Sequence, residues 1–314
     1  MTYGSPASLD RADVATYLAR VRGGRAPADE LVDEFTRRYE RIGGSPLIEI
    51  TRAQAVALER HLGWPVETGL RFSSPSITDG LGELAGRGVG RVAAIVLSPQ
   101  FSALLMGGYR RAIDEALLVL GDLAPTVTLA GAWHDEPAFV AALAGRIREG
   151  LGSIPAAQPV PVLLTAHSLP RRVADQEPEY LRQLEATANL VAGRAGLASS
   201  QWRFCWQSAG HEPGEWMTPD FADLMPELAR DGHDAVLVAP VQFLADHLEV
   251  LYDIDVGARE QAERNGLRFA RIRSLNDDPG LIRALAQVCQ RTLDPAGTFG
   301  DQPASDAVAR AGRA

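Results

Sequence analysis

Short apolar runs alternate with amphipathic segments along most of the chain. Residues 91–99 (RVAAIVLSP), 126–133 (TVTLAGAW), 161–168 (PVLLTAHS), 202–208 (WRFCWQS), 235–241 (AVLVAPV) and 268–275 (RFARIRSL) have the length and apolar character of strands. Between them, residues 104–121, 137–152, 178–196, 221–232, 247–266 and 280–293 have the amphipathic character of helices. Several of these end in Gly, the usual C-terminal cap. Strands alternating with helices predict an α/β protein with parallel sheets flanked by helices. A length of 314 residues suggests about two domains. The Gly- and Pro-rich stretch at 150–161 (GLGSIPAAQPVP) is the best boundary, giving lobes over 1–150 and 151–293. The small, polar segment 294–314 is expected to be a disordered tail.

Composition removes several function classes. Net charge is -9, so the basic field of a nucleic-acid binder is missing. No stretch approaches the roughly 18 apolar residues of a membrane span. The start, MTYGSP, has no secretory leader pattern, which predicts a cytoplasmic protein, with membrane contact at most peripheral. Cys205 and Cys289 lie far apart with no C-x-x-C pair, so zinc ribbons and cysteine-held clusters are excluded. No helix face is left over for a partner, which predicts a monomer.

In open α/β sheets ligands sit beyond the carboxyl ends of the strands. His167, Gln207, Ser208, the 240–247 segment and Ser98 to Ser102 fall at such ends. His167 reads equally as a structural residue or as a group aimed at a ligand. In FLADHLEVLYDID (243–255), Asp246, Glu249 and Asp253 follow i, i+3, i+7 spacing. One reading is a capping box with Asp246 as N-cap and Glu249 at N3. The other is three carboxylates on one helix face, relieved by a hard divalent cation. The stretch WQSAGHEPGEWMTPD (206–220) reads as a loop packed on its own domain or as a wall for a flat aromatic ligand, through Trp206 and Trp216. Arg20, Arg22 and Arg25 flank a Gly-Gly break, a solvated turn or a carboxylate fork. GRGVGR (86–91) precedes a strand instead of following one, so it is no dinucleotide fingerprint. Asp278 and Pro279 read as N-cap and N1 of a helix. His61, His134 and His233 read as ordinary packing or surface residues.

Taken together, LLTAHSLP, WQSAGHEPGEWMTPD, VAPVQFLADHLEVLYDID and SLNDDPGLIRAL resemble the signature blocks of ferrochelatases in order and spacing. YGSPASLDRADVATYLARVRGGR and RRYERIGGSPLIEITRAQA are similar to that family's first domain. The resemblance runs from residue 3 to about 293. It implies two similar Rossmann-like (chelatase-like) lobes around a porphyrin cleft, with Fe²⁺ insertion and release of two protons. It implies that His167 and Glu249 face the macrocycle centre and that Asp253 belongs to a carboxylate line leading outward. Gly257 stands where some members carry a further glutamate. The N-terminal block resembles the coproporphyrin III branch, in which Tyr3 approaches the product iron. Arg22 and Arg25 hold propionates in that reading, with Gly23 in place of a second consecutive arginine. Ser45, Thr51 and Arg52 lie in further blocks near the propionates, and Gln207, Ser208 and Trp216 are expected to contact substrate.

The implied partners are the porphyrin, Fe²⁺ and, transiently, the preceding and following haem-pathway enzymes. No cofactor and no iron–sulfur cluster are expected. Alternatives are a protoporphyrin IX ferrochelatase, a cobalt-inserting relative and a two-lobed haem or metal carrier without turnover. The family normally places an apolar strand directly before the Tyr-Gly turn. Here Met1-Thr2-Tyr3 leaves that strand essentially absent, so the natural start is expected upstream of Met1.

Overall fold

The structure is a computed structural model that describes residues 1–156, 158–210 and 214–295. All but the first two residues of the expected tail lie outside that range. Four helices come first: α1 (Arg11–Val21), α2 (Asp29–Arg41), α3 (Leu47–Leu62) and α4 (Ile77–Gly86). Then follow β1 (Arg91–Ala94), α5 (Ala103–Leu120), β2 (Thr126–Leu129) and α6 (Pro137–Gly152). The second half contains β3 (Val162–His167), α7 (Arg171–Ala174), α8 (Pro178–Ala195), β4 (Trp202–Gln207), α9 (Phe221–Arg230) and β5 (Ala235–Pro240). It ends with α10 (Leu248–Leu251), a π-helical turn (Asp253–Ala258), α11 (Arg259–Arg264), β6 (Arg268–Arg271) and α12 (Pro279–Leu293). Asp278 caps α12 by accepting from Gly280 N at 2.6 Å, with Pro279 at N1 as the sequence predicts.

All strand pairs in the two sheets are parallel. β1 pairs with β2, from Arg91 opposite Thr126 to Ala94 opposite Leu129. Beyond Ala94 the chain leaves this ladder, and Leu97 N donates to Met1 O at 2.9 Å. Residues 1–3 in turn accept from the 71–72 segment: Arg71 N bonds Thr2 O and Phe72 N bonds Tyr3 O, both at 3.0 Å. This pairing shortens β1 relative to the predicted 91–99 run and fixes Tyr3 beyond the strand exit.

The larger sheet has the order β4-β3-β5-β6. Every residue of β5 and the first five of β3 are buried, as expected for central parallel strands covered on both faces. Side chains alternate by face with a period of two. Leu164, Leu237 and Ala239 pack under α6, α8 and α12 with Phe139, Leu143 and Leu285. Leu163, Val236 and Val238 pack on the other face with Leu224, Met225 and Ile254. Each such leucine, fully buried, contributes about 1.5–3 kcal/mol. The chain steps from β3 to β4 on one side and later to β5 on the other, so the strand order reverses at β3. The crevice of such a sheet opens at this switch point, and His167 is the last residue of β3.

The predicted single helix over 247–266 is broken by the π-helical turn, where Tyr252 O accepts from both Val256 N and Gly257 N. The cause lies in its apolar spacing. Val250, Ile254, Ala258 and Ala262 are all fully buried at strict four-residue intervals. On an α-helix that spacing drifts by about 40° per step. One wider turn brings the stripe back to the core. Arg271 secures it, its Nε and Nη2 each 2.8 Å from the Asp255 carboxylate. The side chain of Arg271 is only 12% exposed and also contacts Asp246 at 3.3 Å. Arg271→Gln strands Asp255 and takes the counter-charge from Asp246, and is expected to cost about 3–5 kcal/mol. Denaturant midpoints measure this; a loss under about 1 kcal/mol would remove Arg271 as the clamp of the turn.

Candidate active site

Four structural devices bring His167 and Glu249 together. The β3 ladder ends at His167, opposite Gln207 of β4. Gln242, on the exit of β5, accepts from His167 N at 2.7 Å and donates to the Tyr180 hydroxyl. Gln207 is buried and donates through Nε2 to the main-chain carbonyl of Glu249 at 3.1 Å. Phe243 packs between the two imidazoles of the segment, its ring centre 6.5 Å from His167 and 4.8 Å from His247.

The resulting cluster is compact. His167 Nε2 lies 3.8 Å from Glu249 Oε1, and His247 Nε2 lies 3.6 Å from Glu249 Oε2. His167 Nδ1–H donates to the Ser168 carbonyl, which turns Nε2 toward Glu249. The Glu249 side chain is 37% exposed, yet it lies deep enough that burial opposes its charge. The two imidazoles outweigh this and bring its carboxyl down to about 2. Burial likewise disfavours charge on His247, and Glu249 overrides it, raising the ring above its ordinary value. One turn on, Asp253 is raised by burial and by Glu249, against the Ser208 hydroxyl that donates to it at 2.5 Å. Ser208 reaches it from a left-handed backbone, φ 58°. Arg38 of α2 approaches the same carboxylate at 3.7 Å, pairs with Glu34 and stacks 5.2 Å from the Tyr252 ring.

Tyr3 comes from the N-terminal segment, and the charge of Glu249 reaches its hydroxyl. Tyr3 is 45% exposed, but burial still raises its hydroxyl, with Arg71 pulling the other way through its charge and a hydrogen bond. The Arg71 guanidinium lies 5.7 Å from the ring centre of Tyr3, 4.6 Å from Phe72 and 5.5 Å from Tyr109. Gly108 makes room for it, since a Cβ there would lie 1.8 Å from Arg71 Nη2. Alanine favours α5 more than glycine does, so Gly108→Ala spares the helix and evicts only the flexible guanidinium. Insertion is expected to fall about tenfold, the size of one hydrogen bond to a charged group, with little change in melting temperature. An unchanged rate would separate Arg71 from the function of Tyr3.

A histidine pair around an ionised carboxylate, with a second carboxylate one turn on and a phenol within electrostatic reach, can accept protons and attract a cation. Among the described residues no three His, Cys, Asp or Glu side chains form a ready cation cage. The family model of the ferrochelatases matches residues 1–293. The chain belongs to the ferrochelatase family. Like other ferrochelatases, it is an enzyme that inserts Fe²⁺ into a porphyrin.

Its relatives agree. It is 38% identical over 299 residues to the ferrochelatase of Deinococcus radiodurans, covering 93% of this chain and 94% of that one. It is 36% identical over 304 residues to a Bacillus subtilis protein named coproporphyrin III ferrochelatase, covering 93% and 96%. Among solved structures it resembles SirB from Bacillus subtilis with Fe³⁺, at TM-score 0.60 and 15% identity, over 81% of this chain and 94% of that one. That likeness supports the chelatase fold alone.

The remaining sequence expectations separate. Asp246 is neither an N-cap nor a cleft carboxylate, since His247 occupies the N-cap position of α10. Asp246 turns away to accept from Ser274 Oγ at 2.6 Å and Asn276 Nδ2 at 3.0 Å, because the chain between β5 and α10 must be tied to the exit of β6. Trp206 is buried against Ala166, Leu169 and Leu184, so it is core and no wall of the cleft. Trp216 pairs with Pro170 and covers Gly210; residues 211–213 of its loop lie outside the described residues. Thr51 is buried in α3 and bonds back to Leu47 O at 2.7 Å, while Arg52 is exposed. Ser45 accepts from Leu47 N at the start of α3. Arg22 and Arg25 are exposed on the turn after α1. His247, Arg38, Arg71 and Gly108 were not singled out from sequence. Only His247 carried a signal, its place two residues before Glu249.

Proposed function

We propose that this ferrochelatase acts on coproporphyrin III and yields coprohaem. The observation that supports this is Tyr3, held by main-chain pairing and by Arg71 where the charge of Glu249 reaches its hydroxyl. The Bacillus subtilis relative and one from Halalkalibacterium halodurans, 35% identical over 303 residues, bear that substrate in their names. Exposed Arg22, Arg25 and Arg52 supply forks for propionates, and Ser45 supplies a hydroxyl.

In this reading His167 Nε2 accepts a pyrrole proton, since an imidazole near neutrality takes and passes protons. Glu249, kept ionised between two imidazoles, attracts Fe²⁺ or passes the second proton to Asp253. Gln207 acts through the backbone of Glu249, and Ser208 through Asp253. Propionate contacts hold the ring so that remote binding energy favours its distortion. No resident cofactor or iron–sulfur cluster is needed. Cys205 is buried on β4 and Cys289 lies on α12, each with a thiol pushed up by burial. We extend the reading to a cytoplasmic monomer, with peripheral membrane contact at most and transient handover to neighbouring pathway enzymes. Among the described residues no helix is long and apolar enough to cross a membrane.

The test is anaerobic Fe²⁺ insertion followed by absorbance, with coproporphyrin III and protoporphyrin IX side by side. The expected result is a kcat/KM at least tenfold higher for coproporphyrin III. Faster turnover of protoporphyrin IX would discard the substrate assignment and keep the family.

A further inference from the structure

A cavity of about 680 Å³ opens between the C-terminal half of α3, the exit of β6 and the start of α12. Its size is within the roughly 300–1,000 Å³ of small-ligand sites. Arg60, His61, Arg146, Arg271, Arg273 and Arg283 all line it. In a chain of net charge -9 such a convergence of guanidinium groups needs a cause.

Part of that charge is already matched. Arg271 is held by Asp255 and Asp246, and Arg273 by Glu149 at 2.9 Å. Arg146 is divided between Glu149 and Asp278, yet its Nε is buried without a partner. Arg60 and Arg283 are exposed and make no ion pair with any described residue. Three acids also line the cavity. Asp246 is filled by Ser274, Asn276 and Arg271, and Asp278 by Arg146 and the α12 cap. Among the three, Asp277 alone has no partner among the described residues. Two free guanidinium groups and the idle Nε of Arg146, with His61 beside them, therefore stand against one free carboxylate. Guanidinium forks match phosphate and carboxylate oxygens bidentately.

We propose that this cavity binds a small polyanion, one carrying at least two phosphate or carboxylate groups, between Arg60, Arg283 and Arg146. None of Tyr3, His167, His247, Glu249 and Asp253 lines the cavity. Arg271 connects it to that cluster, because it lines the cavity and clamps Asp255, two residues beyond Asp253 in the π-helical turn. Occupancy therefore stiffens the turn that carries the outer carboxylate.

Calorimetric titration of the whole protein with pyrophosphate and, separately, citrate tests this, in metal-free buffer at fixed ionic strength. No porphyrin is involved, so the outcome is independent of the substrate reading. Saturable binding at one site is expected for wild type, and at least tenfold weaker binding for the R60Q/R283Q double variant. Both positions are exposed, so the variant folds and keeps its basal Fe²⁺ insertion. Binding of pyrophosphate alone assigns a phosphate ligand; equal binding of citrate assigns any polyanion. No saturable binding to wild type, or undiminished binding to the variant, would overturn the site. Amide exchange at Asp253–Ala258 should slow with pyrophosphate bound. Unchanged exchange there would overturn the link through Arg271.

Discussion

Replacing His167 with alanine is expected to lower Fe²⁺ insertion by about 10²- to 10⁴-fold, the range of a lost general base, in a protein that still folds. The side chain is 31% exposed and meets the edge of Phe243 without filling the core. Its removal leaves no buried cavity, so the large cost of a core truncation does not apply. The backbone of His167 stays anchored through Gln242 and the β3 ladder. What disappears is Nε2, turned toward Glu249 by the bond of Nδ1 to Ser168. Circular dichroism and the denaturant midpoint check the fold beside the rate. Near-normal turnover in a folded variant would refute the proposed role.

Glu249→Gln is expected to slow insertion by about 10²-fold or more, and Asp253→Asn by about tenfold. The order follows from the surroundings. Glu249 lies between two imidazoles with its carboxyl brought down to about 2, so it is charged throughout the working range. Asp253 is raised by burial, bonded by Ser208 and approached by Arg38, so its charge is already shared. An equal or reversed order contradicts Glu249 as the inner group. The pair also predicts a pH signature. Stability from the lowered Glu249 is present above pH 4.5 and fades as pH falls toward 2. Stability from the raised His247 is complete below pH 6.5 and fades as pH rises through its raised value. Glu249→Gln should therefore cost more stability near pH 5.5 than near pH 9. A constant difference would show that His247 and Glu249 are not coupled.

The sequence made the second half of the fold largely legible, because β3 and β5 are apolar runs and α8 and α12 have clear caps. It was less informative where partners come from far along the chain. The 95–97 segment pairs with Met1, which no local pattern announces. The π-helical turn arises from a drift in apolar spacing and from the Arg271 clamp, both invisible to a count of helix formers. At the site, His167 and Glu249 were legible because a histidine ended a buried strand and a carboxylate sat in a distinctive block. Asp246 misled, since helical spacing places it with Glu249 while tertiary bonds to Ser274 and Asn276 turn it away. Arg38 and Arg71 were hidden for the opposite reason. Nothing near them in sequence signals a carboxylate or a phenol reached only after folding.

The central claim is that the ring sits between the His167–Glu249 cluster and Tyr3. A crystal structure of the protein with coprohaem tests it most directly. Iron is expected to face the Tyr3 hydroxyl on one side and His167 and Glu249 on the other, with propionates toward Arg22 and Arg25. A macrocycle bound elsewhere, or one whose iron faces neither wall, would contradict it.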